Sequence, residues 1–171
     1  MDEAVVRQQI QAISDLLSKR GLTLSVAESC TGGLLAKYLT DLPGASNFFM
    51  GGVITYSNRA KTDVIAVPKA LIDKFGAVSK EVAEAMASGV RTALKSDLAL
   101  SITGLAGPDG GSAEKPVGTF WVGLATQNGV DASNHFYPGE RSAIRIFAAY
   151  TALQKLSVSL ANKGGHRGNP R

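Results

Sequence analysis

The chain has 171 residues, 44% of them hydrophobic, which suits one domain with a core large enough to need neither disulfides nor a structural metal. Its single cysteine, Cys30, excludes an internal disulfide and fits a reducing compartment. The net charge of +4 is mostly a terminal property: without Lys163, Arg167 and Arg171, 15 basic side chains face 14 acidic ones, so no sustained basic face for nucleic acid remains.

In chain order, Val6, Ile10, Ile13 and Leu17 recur at helical spacing and predict a helix over 3–19, stopped by Gly21. Residues 22–28 read as a short buried strand, Ser29 to Gly33 as a turn of small residues, and Leu34 to Leu42 as a helix broken by Pro43-Gly44. Phe48 to Tyr56 is aromatic and β-branched apart from Gly51-Gly52, and predicts a second strand. Residues 59–75 suggest short helical pieces joined irregularly at Pro68. Ser79 caps a helix with the apolar stripe Val82, Met86, Val90 and Ala93. Asp97 to Thr103 is a third strand, Gly104 to Pro116 a glycine-rich loop, and Gly118 to Thr126 a fourth strand. Asn128-Gly129 signals a hairpin into an antiparallel fifth strand over Val130 to Tyr137. Arg141 to Leu160 closes the domain as a helix with Ile146, Tyr150, Leu153 and Leu160 facing inward.

This alternation predicts a three-layer α/β/α fold, with a mixed, mostly parallel five-stranded sheet ending in a late antiparallel hairpin. Residues 1–162 form the expected single domain, and 163–171 a disordered basic tail. The N-terminus has no basic stretch followed by an apolar run, and no segment is long enough to cross a bilayer, so the expected compartment is the cytoplasm.

Three segments fall where strands end, the place where open α/β sheets bind ligands. In Glu28-Ser29-Cys30-Thr31-Gly32-Gly33, a strand gives way to a helix whose first N–H groups and positive dipole end favour an anion. Ser29 there is a candidate nucleophile, with backbone donors at hand for an oxyanion; the alternative is that Ser29 or Thr31 merely caps the helix. A serine needs a base. His166 sits in the tail and His135 in the hairpin, so a Ser-His-Asp triad finds poor support. Lys61, following Tyr56 and Asn58, is the other candidate, provided desolvation or a nearby cation such as Arg59 lowers its pKa from about 10.4 toward about 7–8. The competing reading is a solvated surface lysine. In the third segment, Thr103, Gly104 and Gly107 open a loop whose backbone can approach a ligand closely, and Lys115 can face phosphate or carboxylate; a plain flexible loop is the alternative. Cys30 is a possible second nucleophile or an inert thiol. Arg141 and Arg145, one turn apart at the start of the last helix, are either phosphate ligands or paired surface arginines. Glu28 and Asp109 are the carboxylates able to hold an ion, but one cysteine and two separated histidines make no metal cluster.

Taken together, Val26-Ala27-Glu28-Ser29-Cys30-Thr31-Gly32-Gly33, Thr55-Tyr56-Ser57-Asn58 with Lys61, Gly76-Ala77-Val78-Ser79, Gly104-Leu105-Ala106-Gly107-Pro108-Asp109-Gly110-Gly111 and Lys115-Pro116-Val117-Gly118-Thr119 resemble the C-terminal domain family of competence/damage-inducible protein CinA, over about residues 5–160. The family includes stand-alone nicotinamide-nucleotide amidases. The resemblance implies hydrolysis of nicotinamide mononucleotide to nicotinic acid mononucleotide and ammonia, without metal or organic cofactor. It places the family's active-site Ser, Tyr and Lys at Ser29, Tyr56 and Lys61. Substrate contacts are then expected from Cys30, Thr31, Gly32, Gly33, Asn58, Thr103, Gly104, Gly107, Lys115, Arg141 and Arg145. The larger N-terminal domain of many members is absent from this sequence. Leu105 stands where isoleucine is frequent, Ala113 where an acid is expected, and Arg59 where many members have glutamate, which bears on the charge around Lys61. The expected partners are a small nucleotide and further copies of the chain, with no nucleic acid and no membrane. Two rival readings stay open: a catalytically silent nucleotide- or protein-binding module serving competence or DNA repair, and an amidase for another amide.

Overall fold

The computed structural model describes residues 3–162; the predicted 163–171 tail lies outside them. The first helix, α1 (Glu3–Arg20), presents the expected apolar stripe to the core, with Val6, Ile10, Ile13 and Leu17 all buried. It ends at Gly21 in the left-handed region (φ 60°), where Leu22 N–H donates to Leu17 O. The chain continues through β1 (Leu24–Glu28), α2 (Leu34–Thr40), a 3-10 turn (Ala45–Asn47) and β2 (Phe49–Ile54). The predicted helical pieces around Pro68 resolve into α3 (Asn58–Ile65) and α4 (Lys69–Phe75), followed by α5 (Lys80–Leu94) capped by Ser79 as expected. Then come β3 (Leu98–Gly104), β4 (Thr119–Thr126), β5 (Gly129–Phe136) and α6 (Arg141–Asn162).

The five strands form one sheet in the order β2-β1-β3-β4-β5. β1 pairs parallel with β2 and β3, because helices carry the chain between these strands; β4 and β5 are antiparallel, because only loops precede them. Helices α1, α2 and α6 cover one face, around Leu24, Val26, Leu100 and Phe120, and α3, α4 and α5 cover the other, around Ala27, Ile65, Met86 and Val90. The α/β/α expectation therefore holds.

One detail of α6 differs from the sequence reading. Its buried face runs through Ile144, Ala148, Ala149, Ala152, Leu153, Leu156 and Leu160, whereas Ile146 and Tyr150 are only partly buried. Ile144, Ala148, Ala152 and Leu156 recur at helical spacing and set the buried face, so Ile146 and Tyr150 fall on its flank.

The order of the strands creates a topological switch point. From β1 the chain moves outward to β2 across one face, then returns on the other face to place β3 on β1's far side. Glu28 is level with Ile54 in β2 and with Ile102 in β3, so Ser29, Thr55 and Thr103 follow side by side at the carboxyl edge.

Candidate active site

Ser29 is the first residue beyond β1, and its N–H donates to Ile102 O, holding it against β3. After it the chain turns through Gly32 (φ 59°) and Gly33 (φ 94°), left-handed conformations that glycine adopts without strain, and enters α2. The N-terminus of α2 has no side-chain cap of its own at Gly33. Glu28, 1% exposed, supplies it from the strand: its carboxylate accepts N–H bonds from Gly33 (3.1 Å), Leu35 (3.1 Å) and Ala36 (2.7 Å). The carboxylate thus occupies the anion position that the sequence left open to a ligand. Gly32 N–H is likewise engaged, donating to Ser29 O at 3.1 Å. Among the described residues, the N–H groups of Cys30 and Thr31 donate to no other residue; Thr31 is fully buried away from the cleft lining, which leaves the Cys30 N–H as the donor beside Ser29 free to face an oxyanion.

Lys61 lies on α3. Ser57 starts that helix, its hydroxyl accepting from Ala60 N–H and its carbonyl from Lys61 N–H. Lys61 is 1% exposed, which removes the surface-lysine reading. Its Nζ donates to Thr55 O at 2.8 Å and lies 3.1 Å from Ser29 Oγ. Among the described residues no carboxylate pairs with it. Burial in that setting favours the neutral amine and holds its pKa below the ordinary 10.5. Arg59 turns away: its side chain is 89% exposed and pairs with Asp63 at 2.9 Å. The desolvation expected of a lysine base is therefore met by burial rather than by a neighbouring cation.

The other predicted residues divide into two groups. Ser29, Cys30, Tyr56, Asn58, Lys61, Thr103, Gly104, Gly107 and Arg141 share one cleft of about 280 Å³, completed by Ala77, Val78, Leu105, Ala106 and Asp109. Tyr56 is exposed at its rim, where its OH accepts from Arg141 Nη2 at 3.0 Å, and Arg141 Nη1 donates to Gly107 O at 2.6 Å. Thr31, Gly32, Gly33, Lys115 and Arg145 are not among the lining residues. Lys115 Nζ donates to Phe75 O at 3.0 Å, and Arg145 donates to Thr31 O at 3.2 and 2.6 Å, bracing the nucleophile turn from behind. The Cys30 thiol is pushed up to about 12 by burial, with the nearby Glu28 charge adding to the effect, so it stays protonated and a poor nucleophile. His135 stacks on Phe120 at 5.3 Å and shares a 2.8 Å hydrogen bond with Ser133; it takes no part in the cleft. Among the described residues no group of three or more His, Cys, Asp or Glu is placed to hold a metal ion, and no helix is long and apolar enough to cross a membrane.

Two features escaped the sequence. The cap role of Glu28 depends on amides five to eight residues downstream, a spacing outside the usual capping patterns. The Thr55 carbonyl that holds Lys61 has no side-chain signature at all.

A buried Ser–Lys pair at the switch point of a mixed sheet, beside an unspent backbone donor, has the parts of an acyl-transfer centre. Comparison with known proteins agrees with the architecture. The family model described as the CinA C-terminal domain matches residues 6–160, and the chain belongs to that family. It is similar to a CinA-like protein of Geotalea uraniireducens (52% identity over 148 residues, covering 86% of this chain and 35% of the relative). A CinA-like protein of Geobacter sulfurreducens is 52% identical over 145 residues (85% and 35%). The chain thus spans about a third of the length of these curated relatives. Among solved structures, a CinA superfamily protein from Klebsiella pneumoniae superposes with a TM-score of 0.88 at 31% identity, covering 92% of this chain and 98% of that one. A competence/damage-inducible protein from Agrobacterium tumefaciens gives 0.85 at 37% identity (94% and 97%).

Proposed function

We propose that the chain is an amidase that hydrolyses the carboxamide of nicotinamide mononucleotide to nicotinic acid mononucleotide and ammonia. The observation that carries the reading is the approach of buried Lys61 Nζ to Ser29 Oγ at 3.1 Å. Neutral Lys61 takes the Ser29 proton as Oγ forms a bond to the carboxamide carbon. The oxyanion is received by the Cys30 N–H group. As the C–N bond breaks, the lysine ammonium returns its proton to the departing nitrogen, which leaves as ammonia. Water, deprotonated by the same lysine, then attacks the acyl-enzyme, and the carboxylic acid and free Ser29 are regenerated.

The cleft volume suits the nicotinamide end of the substrate, with the rest of the nucleotide extending over the Tyr56 rim. Of the lining residues, only Lys61 and Arg141 are cations, so Arg141 is assigned the phosphate; Asn58 and Asp109 offer polar contacts to the ribose. In this proposal Tyr56 orients Arg141 and the leaving-group proton, and further copies of the chain associate into a homo-oligomer, which light scattering after size exclusion reads directly.

The test is ammonia release from nicotinamide mononucleotide by the parent and by Ser29→Ala. Release that disappears in a folded Ser29→Ala protein supports the assignment. A clean, folded parent that releases none while still binding the nucleotide turns the reading to a silent binding module.

A further inference from the structure

Lys61 reaches Ser29 only if α3 sits at the right depth over the sheet, and the structure has a specific stop for it. Helix α3 ends one turn after Lys61, at Ile65. Its C-cap, Ala66, is in the left-handed region (φ 55°), and the N–H groups of Ala66 and Val67 both close back onto Lys61 O. The end of α3 lies directly on α5. At Gly89, in the middle of α5, the place where a Cβ would stand is 2.0 Å from Ile65 O and 3.1 Å from Ile65 C. Main chain touches main chain there, with no flexible side chain to yield. Gly89 has no positive φ to explain it, and glycine inside a helix is disfavoured against alanine.

We propose that Gly89 is a positioning residue for the Ser29–Lys61 pair: by leaving room for the Ile65 carbonyl, it sets how closely α3 approaches α5 and so where Lys61 Nζ ends. The inference rests on the reading of that pair as nucleophile and base. A methyl at position 89 pushes the last turn of α3 outward, and the short helix carries Lys61 with it. The 3.1 Å approach to Ser29 and the 2.8 Å bond to Thr55 O both lengthen, and water gains access to the amine. A displacement of about 1 Å at a reacting pair costs on the order of 10²-fold in rate.

The experiment compares the parent with Gly89→Ala and Val90→Ala. Val90 is on the same helix and fully buried in the same core, so its truncation destabilises the same region without adding bulk under α3. Two quantities are read: kcat and KM for nicotinamide mononucleotide, and the titration of Lys61 Nζ followed by NMR on labelled lysine, with the resonance assigned by its loss in Lys61→Met. Gly89→Ala is expected to lose at least about tenfold in kcat with little change in KM, and to move the Lys61 titration up toward 10.5, while Val90→Ala keeps both at the parent's values. If Gly89→Ala alone does not fold, the double variant with Ala66→Gly replaces it, since glycine tolerates the left-handed cap while the chain backs away from the new methyl. The double variant should show the same two shifts, and Ala66→Gly alone neither. Parental kcat and titration in the Gly89 variants overturn the proposal, as does an equal shift in Val90→Ala. Lys61→Met with parental activity would instead sink the catalytic reading, while the NMR titration still decides the role of Gly89.

Discussion

Glu28 Oε1 lies 2.7 Å from the backbone nitrogen of Ala36, so a carboxylate at the end of one strand closes the first turn of the helix that follows the nucleophile. Removing it leaves three N–H groups without their acceptor. Glu28→Ala should destabilise the fold by at least about 2 kcal/mol, combining the loss of a helix cap with buried unsatisfied donors. Urea unfolding monitored by circular dichroism measures it. A midpoint within error of the parent's would mean that α2 does not depend on this carboxylate.

Lys61→Met keeps most of the buried volume and removes the amine. Turnover should fall about 10²–10⁴-fold, the range for a positioned base. A loss of only a few-fold, read from steady-state ammonia release, would rule out Lys61 as the base.

The same lysine predicts a pH dependence of stability. Its folded-state pKa is lowered below 10.5 by burial. Between that lowered value and 10.5 the unfolded chain holds a proton that the folded chain has shed, so this group makes stability rise with pH through the window. Below the window both states are protonated and the contribution is flat. The difference in unfolding free energy between parent and Lys61→Met should therefore shift in the parent's favour as pH rises toward 10.5. A difference that is constant with pH, or that moves the other way, contradicts a desolvated lysine. Activity should gain with pH across the same folded-state pKa, because only the neutral amine accepts the serine proton.

Arg141 tests the orientation of the substrate. A charge-assisted contact contributes about 1.5–3 kcal/mol, so Arg141→Gln should weaken nicotinamide mononucleotide by roughly 10–100-fold. The unphosphorylated riboside should be affected far less. Equal losses on the two would assign Arg141 to holding Tyr56 and the Gly107 loop, the two contacts it makes in the free site.

The elements, the mixed sheet and the segments forming the cleft were legible because each carries a local signal: apolar stripes on α1 and α5, a cap at Ser79, the hairpin glycine at 129. The features that were hidden are those in which the main chain is one of the partners. Glu28 meets distant amides, Arg145 meets Thr31 O, Lys115 meets Phe75 O, and Gly89 meets Ile65 O. A basic side chain reads the same in a sequence whether it faces a phosphate or a carbonyl. The burial of Lys61 was legible only through the family resemblance, because lysine by itself predicts exposure.

The second anchor of Lys61 is the carbonyl of Thr55, a group that every amino acid carries. Position 55 can therefore drift among side chains that fit its buried site without loosening the amine. To lose this hold, either the strand end or the helix that carries the lysine must move. The seat of the lysine is written in the path of the backbone, and a substitution reaches it only by shifting that path, as a methyl at position 89 would.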